Sequence, residues 1–232
     1  MRGGGMVLML VLAAASTVAA TPAKSETKRM SDAASVIREL RSAPDRSIPE
    51  SVWDRARCVA VMPDVKKAAF VVGGEFGKGV VSCKTTKGWS APVFLGIEKG
   101  SFGAQIGAES TDVVLLVMNE RGVERLLQDK VTLGADASVA AGPVGRSSTA
   151  ATDAQLTAEM LSYSRARGLF AGIDLSGGVL RPDNDANRDF YGHAVAGREI
   201  LLGNARERVP AAANPFIAAL NGAPGSGAKR GA

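Results

Sequence analysis

Histidine, cysteine and aromatic residues are scarce in this chain: its 232 residues include one His, two Cys, two Trp and two Tyr, and aromatics make up 5%. A protein zinc site takes three or four Cys, His or carboxylate ligands, so thiolate zinc fingers are excluded and no resident metal or other cofactor is expected. His193 is the lone imidazole. Neither cysteine nor any serine lies in a recognisable nucleophile elbow, which leaves Ser-His and Cys-His catalysis without an anchor. No apolar run reaches the ~20 residues that a membrane-spanning helix needs.

What is present favours a packed α+β domain. Apolar residues make up 46% and charged residues 22%, enough for a core and too little charge for a disordered chain. The 27 glycines favour short strands and tight turns over a helical bundle, because Gly weakens helix interiors. A net charge of +5 and a pI near 9.4 tilt encounters toward anionic surfaces, but the cations are too few and too scattered to specify nucleic acid.

The amino terminus reads as an address. Arg2, an apolar run from Met6 to Ala15 and small residues at Val18 and Ala20 form the pattern of a secretory signal peptide cleaved after Ala20. Residues 1–20 are therefore expected to be removed, leaving a periplasmic or secreted protein in an oxidising compartment. There Cys58 and Cys83 can form a disulfide or remain two buried thiols on neighbouring strands.

From Thr27 to Arg41 the period becomes helical. Met30, Ala33, Ala34, Ile37 and Leu40 recur at three- and four-residue spacing, with Lys28, Arg29, Arg38 and Glu39 between them. Two readings stand: the apolar face docks on the domain, or it lies on an anionic bilayer, where each Lys or Arg contributes about 1 kcal/mol.

Beyond a turn-rich link at 42–49, β-rich segments follow at 58–62, 68–73, 79–83, 89–97, 102–108 and 112–118, separated by turns too short for crossover helices. They predict a twisted antiparallel meander, curling into a half-barrel. Helices are expected at 120–128, at 153–161 with Asp153 as cap, and at 183–191, with weaker helical pieces at 200–202 and 215–220. Shorter strands are expected at 131–133, 137–141, 162–165 and 169–175.

Two chemical motifs fail on inspection, and one basic pair carries no motif. The stretch GGEFGKG at 73–79 lacks the spacing of a phosphate loop and reads as a hairpin turn with Lys78 at its tip. Lys66 and Lys67 read as a solvated turn. Asp183, Asp185, Asn187 and Asp189 alternate like a calcium loop, but Arg188 and Ala194 stand where Gly and Glu are needed, so helix capping is the simpler account.

The stretches ARCVAVMP (56–63), GWSAPVFLG (88–96), FGAQIGAESTD (102–112), VTLGADASVAAGPVGR (131–146), YSRARGLFAGIDLS (163–176) and NRDFYG (187–192) together resemble a SYLF domain over residues 27–192. The resemblance implies a lipid-binding module whose eukaryotic relatives bind phosphoinositide membranes and, in yeast, actin filaments. It implies a membrane role for the initial helix, which falls here on Lys28, Arg29, Arg38 and Arg41. Among the basic residues inside its motifs, Arg146, Arg165 and Arg167 are suited either to a lipid phosphate or to ion pairs that fix the fold.

The expectation is thus a signal peptide (1–20), a SYLF-like domain (27–192), a helical extension (193–220) and a disordered tail (221–232). The expected function is an exported, non-catalytic protein bound peripherally to anionic phospholipid. The alternatives are a scaffold that binds a protein partner and, last, an envelope hydrolase, which would need a cleft of converging polar groups that no motif predicts.

Overall fold

The computed structural model describes residues 24–42, 48–69, 72–102, 107–144, 157–166, 169–204 and 209–222. The signal-peptide pattern, most of the 42–49 link, Asp153, Arg146, Arg167 and residues 223–232 lie outside them.

Helix α1 (Lys24–Ser42) forms where Ala, Met, Ile and Leu recur without Gly or Pro, and its stripe is spent in the core. Met30, Ala33, Ala34 and Ile37 are fully buried and Leu40 is nearly so. After the short α2 (Glu50–Arg55) come β1 (Cys58–Ala69), β2 (Val72–Thr85), β3 (Gly88–Trp89), β4 (Val93–Phe102) and β5 (Gly107–Val117). Helix α3 (Glu120–Leu126) precedes β6 (Val131–Thr132), β7 (Val139–Ala141), β8 (Met160–Ala166), β9 (Leu169–Gly172) and β10 (Val179–Pro182). Helices α4 (Asn184–Tyr191), α5 (Gly197–Leu201) and α6 (Asn214–Leu220) follow.

The strands form one curled, mostly antiparallel sheet in the order β6-β10-β4-β2-β1-β5-β8-β7, with β3 on β2 and β9 on β8. The α+β half-barrel expected from the sequence is the fold observed. Its path departs from a simple meander, first at β5. β1 pairs β2 and β2 pairs β4, but β5 returns to the free edge of β1, so the four strands run β4-β2-β1-β5, a Greek-key order. One pair, β7 with β8, is parallel.

Strand alternation gives the sheet two apolar faces. Val59, Val61, Val80, Phe94, Val114, Leu116 and Tyr163 pack under α1, α2, α4 and α6. Ala60, Met62, Val81, Leu95, Val113, Leu115 and Met160 pack under α3 and α5. Burial on both faces is why these strands read as unbroken apolar runs such as CVAVM and VVLLV. Cys58 lies opposite Cys83, and the two are joined as a disulfide. The Lys84 N–H donates to the Arg57 carbonyl at 2.7 Å beside them, marking a non-hydrogen-bonded pair, the closely spaced kind.

Several local expectations are corrected. GGEFGKG is no turn: it runs inside β2, where Lys78 faces Gly96 and Phe76 faces both Glu98 and Lys66. Lys66 and Lys67 likewise belong to β1. The glycines answer a close approach. β1 bulges between Met62 and Val65, with Asp64 at φ 57°, and a Cβ on Gly79 would come within 2.2 Å of the Val61 carbonyl. Met160 and Leu161, expected at the end of a helix, pair with Val117 and Leu116 of β5. Strand β10 was not anticipated; it fills the edge between β4 and β6.

If α1 is part of the core, Ile37→Ala should cost about 2–5 kcal/mol of unfolding free energy, read from urea denaturation. A loss below about 0.5 kcal/mol, the range of surface substitutions, would mean that the helix does not dock.

Candidate functional site

The basic residues singled out in the sequence do not converge. Arg29 is the most buried, its side chain 13% exposed between Glu26 (3.8 Å) and Asp183 (3.5 Å), with its guanidinium 5.2 Å from the centre of the Phe94 ring. Arg165 joins the sheet to the helix, pairing with Glu39 of α1 and with Asp112 of β5 at 3.0 Å. Burial lowers its pKa, but the hydrogen bond to Glu39 and the two carboxylate charges outweigh that and leave it raised. Arg41 donates to the Leu220 carbonyl at 3.3 Å and covers the Trp53 ring at 4.9 Å. Arg38 is half-buried and reaches the Ser35 hydroxyl at 3.0 Å. Of this helical set only Lys28 stands well out of the protein, 75% exposed and paired with Asp32 at 2.6 Å.

A different surface is assembled beside Lys28. The start of α1 meets the bulged part of β1 and the middle of β2 around a cavity of about 320 Å3. Its walls include Lys28, Arg29, Asp64, Lys66, Phe76 and Lys78. Phe76 is 58% exposed, and the lysines around it, Lys66 and Lys78, are 60% and 63% exposed. Strand geometry explains the grouping: Phe76 and Lys78 are two apart on β2 and share a face, and Lys66 lies directly across from Phe76. A second hollow of about 240 Å3 continues over β4 and β10 to Arg181.

Carboxylates temper this surface. Asp64 is held below its ordinary pKa first by the Ser110 hydroxyl, against a burial cost, and then by Lys66. For Asp183, burial pushes up, but Lys78 at 2.9 Å, the Ala186 N–H and the Arg29 charge together hold it down. Both remain anionic at neutral pH. Asp183 thereby ties α1, β2 and the N-terminus of α4 to one carboxylate.

The calcium-like alternation is built into the fold instead. Asp183 caps α4, Asp185 pairs with Arg188, and Asn187 turns inward, accepting from the Phe94 N–H at 2.8 Å and donating to the Phe94 carbonyl at 3.0 Å. Among the described residues no group of three His, Cys, Asp or Glu could hold a metal ion. His193 is exposed, with Nδ1 beside the Ala194 carbonyl. Phe76 and Lys78 were missed as site residues because GGEFGKG looked like a turn, Lys66 because it read as a solvated turn, and Arg181 because β10 was not anticipated.

The family model described as "Ysc84: Las17-binding protein actin regulator" matches residues 98–223. The chain is 36% identical over 206 residues to Protein YSC84 of Saccharomyces cerevisiae, covering 85% of this chain and 43% of that protein. It is 36% identical over 205 residues to the SH3 domain-containing YSC84-like protein 1 of Rattus norvegicus, covering 85% and 58%. To the S. cerevisiae LAS seventeen-binding protein 3 it is 35% identical over 203 residues, covering 85% and 44%. The chain thus spans about half the length of the curated relatives it matches.

Because the folded-state pKa of Asp183 lies below the ordinary value of about 3.9, its contribution to stability is complete above that value. It is lost as the pH falls through the lowered pKa. Asp183→Asn should therefore cost on the order of 3 kcal/mol at neutral pH by stripping Arg29 of one of its two carboxylate partners, and urea melts should show the deficit shrinking as the pH falls below that ordinary value. A deficit that stays constant into acid would remove this carboxylate from the account.

Proposed function

Because the chain belongs to the Ysc84 (SYLF) family, we propose that it is an exported, non-catalytic protein that associates peripherally with anionic phospholipid membranes of the cell envelope. One observation carries the reading: a half-exposed phenylalanine, Phe76, set among the exposed Lys28, Lys66 and Lys78. An aromatic ring can enter the headgroup boundary while long basic side chains keep their charge at the phosphates, each worth about 1 kcal/mol near the surface. The net charge of +5 favours the same encounter. Export, and with it a periplasmic or secreted location, rests on the signal-peptide pattern of residues 1–20.

This assignment moves membrane contact away from the stripe of α1, which is occupied in the core, to the strand surface beside its first turns. Arg29 and Arg165 then serve as struts rather than lipid ligands. No helix among the described residues is long and apolar enough to cross a membrane.

A second reading is a module that binds a protein partner. The family description and the printed name of LAS seventeen-binding protein 3 favour it. The same cationic surface would then meet an acidic partner surface.

The purified protein should co-sediment with phosphatidylglycerol vesicles at low salt and be released as salt screens the charges. Lys66→Glu, a change of two charge units, should weaken the partition about thirtyfold, and Phe76→Ala should weaken it about tenfold or more through lost apolar contact. Failure to bind any anionic vesicle at low salt would overturn the lipid reading and leave the protein-partner reading standing.

A further inference from the structure

A separate cavity of about 330 Å3 opens between α3, α5 and strands β4 and β10. That volume falls within the ~300–1,000 Å3 range of small-molecule sites. Leu95, Leu126, Val131, Leu180 and Leu201 form its apolar wall, each less than a tenth exposed. Such a wall offers little to water, which needs two to four polar partners to be held. Polar character is concentrated where the cavity meets solvent. Arg181 and Arg198 both line it and both are exposed, and among the described residues neither guanidinium has a hydrogen bond or ion pair. Asp129, the acid that shares the lining, is paired with neither.

An apolar interior with two uncommitted guanidinium groups at its opening matches one chemistry: a hydrocarbon chain that ends in an acid. We infer that this cavity holds the acyl chain of a single-chain anionic amphiphile, its carboxylate or phosphate received by Arg181 and Arg198. Guanidinium forks meet both head groups in bidentate fashion. The inference goes beyond peripheral contact, because it concerns one lipid molecule held within the fold, and it does not require the protein to bind a vesicle.

Calorimetric titration of the full chain with octanoate, decanoate and laurate, each below its micelle concentration, tests it. Affinity should rise about fourfold per added methylene, the equivalent of about 0.8 kcal/mol, until the cavity is filled. Decanoate should bind more tightly than decanol, and Arg198→Glu should abolish that preference. Leu201→Trp should fill the cavity and eliminate binding, with circular dichroism to check the fold; the exposed Arg198 variant keeps the test open if the tryptophan variant does not fold. Lysophosphatidylglycerol beside laurate identifies the source of the acid, the tighter ligand naming the head group. The charge-neutral Leu201→Trp should leave sedimentation with phosphatidylglycerol vesicles unaltered, so failure here is separable from failure of the membrane reading. Absence of binding, no dependence on chain length, or equal affinity for decanoate and decanol would overturn the assignment.

Discussion

Burial of the first helix against the sheet is the contact from which the rest of the molecule takes its form. The strands are apolar on both sides, and the face carrying Val59, Val61, Phe94 and Tyr163 would meet water without α1, α4 and α6. Met30, Ile37 and Leu40 each bring roughly 1.5–3 kcal/mol of burial to that seam, and cations lock it at two points, Arg29 on Asp183 and Arg165 on Glu39 and Asp112. Freeing the helix for a bilayer would forfeit this packing and break both locks. A gain of about 1 kcal/mol per basic residue at a charged surface does not offset that loss, so the docked arrangement wins.

The same reasoning locates the surface proposed to meet the membrane. Where α1 begins, its cover of the sheet gives out, and the strands continue past it with Phe76, Lys66 and Lys78 facing solvent. The bulge at Pro63 and Asp64, with the glycines of β2 crossing it, turns these side chains toward the first turns of the helix. Asp183 holds Lys78, Arg29 and the start of α4 together at the border of this region. Arg181 of β10 lines both the hollow beyond Lys78 and the acyl-sized cavity, so the two proposed lipid contacts adjoin at this residue.

Local rules carried the sequence reading wherever local physics decides. The three- and four-residue spacing of Met30 to Leu40 identified α1, and an Asp before a short amphipathic run identified α4 with its cap. The unbroken apolar runs marked the strands. Pairing was harder, since the return of β5 to β1 depends on which sheet edges are already taken. GGEFGKG was misread because glycines ordinarily mark turns, whereas here Gly77 and Gly79 are required by the bulge of the neighbouring strand β1, a close approach that no run of glycines announces. β10 is four residues long and bounded by glycines and a proline, too little pattern to register. The exposure of Phe76 was invisible for a deeper reason: it follows from where helices fail to cover the sheet, which no window of sequence reports.

The central claim is that this fold meets a membrane through the strand surface at Phe76 while α1 stays docked. Electron paramagnetic resonance on phosphatidylglycerol vesicles tests it most directly, with a nitroxide at Phe76→Cys compared with one at Arg38→Cys on the helix. The account predicts that the label at 76 becomes accessible to oxygen and shielded from a polar relaxation agent, as a bilayer site is, while the label at 38 stays in water. A label at 38 that enters the bilayer while 76 remains aqueous would contradict it.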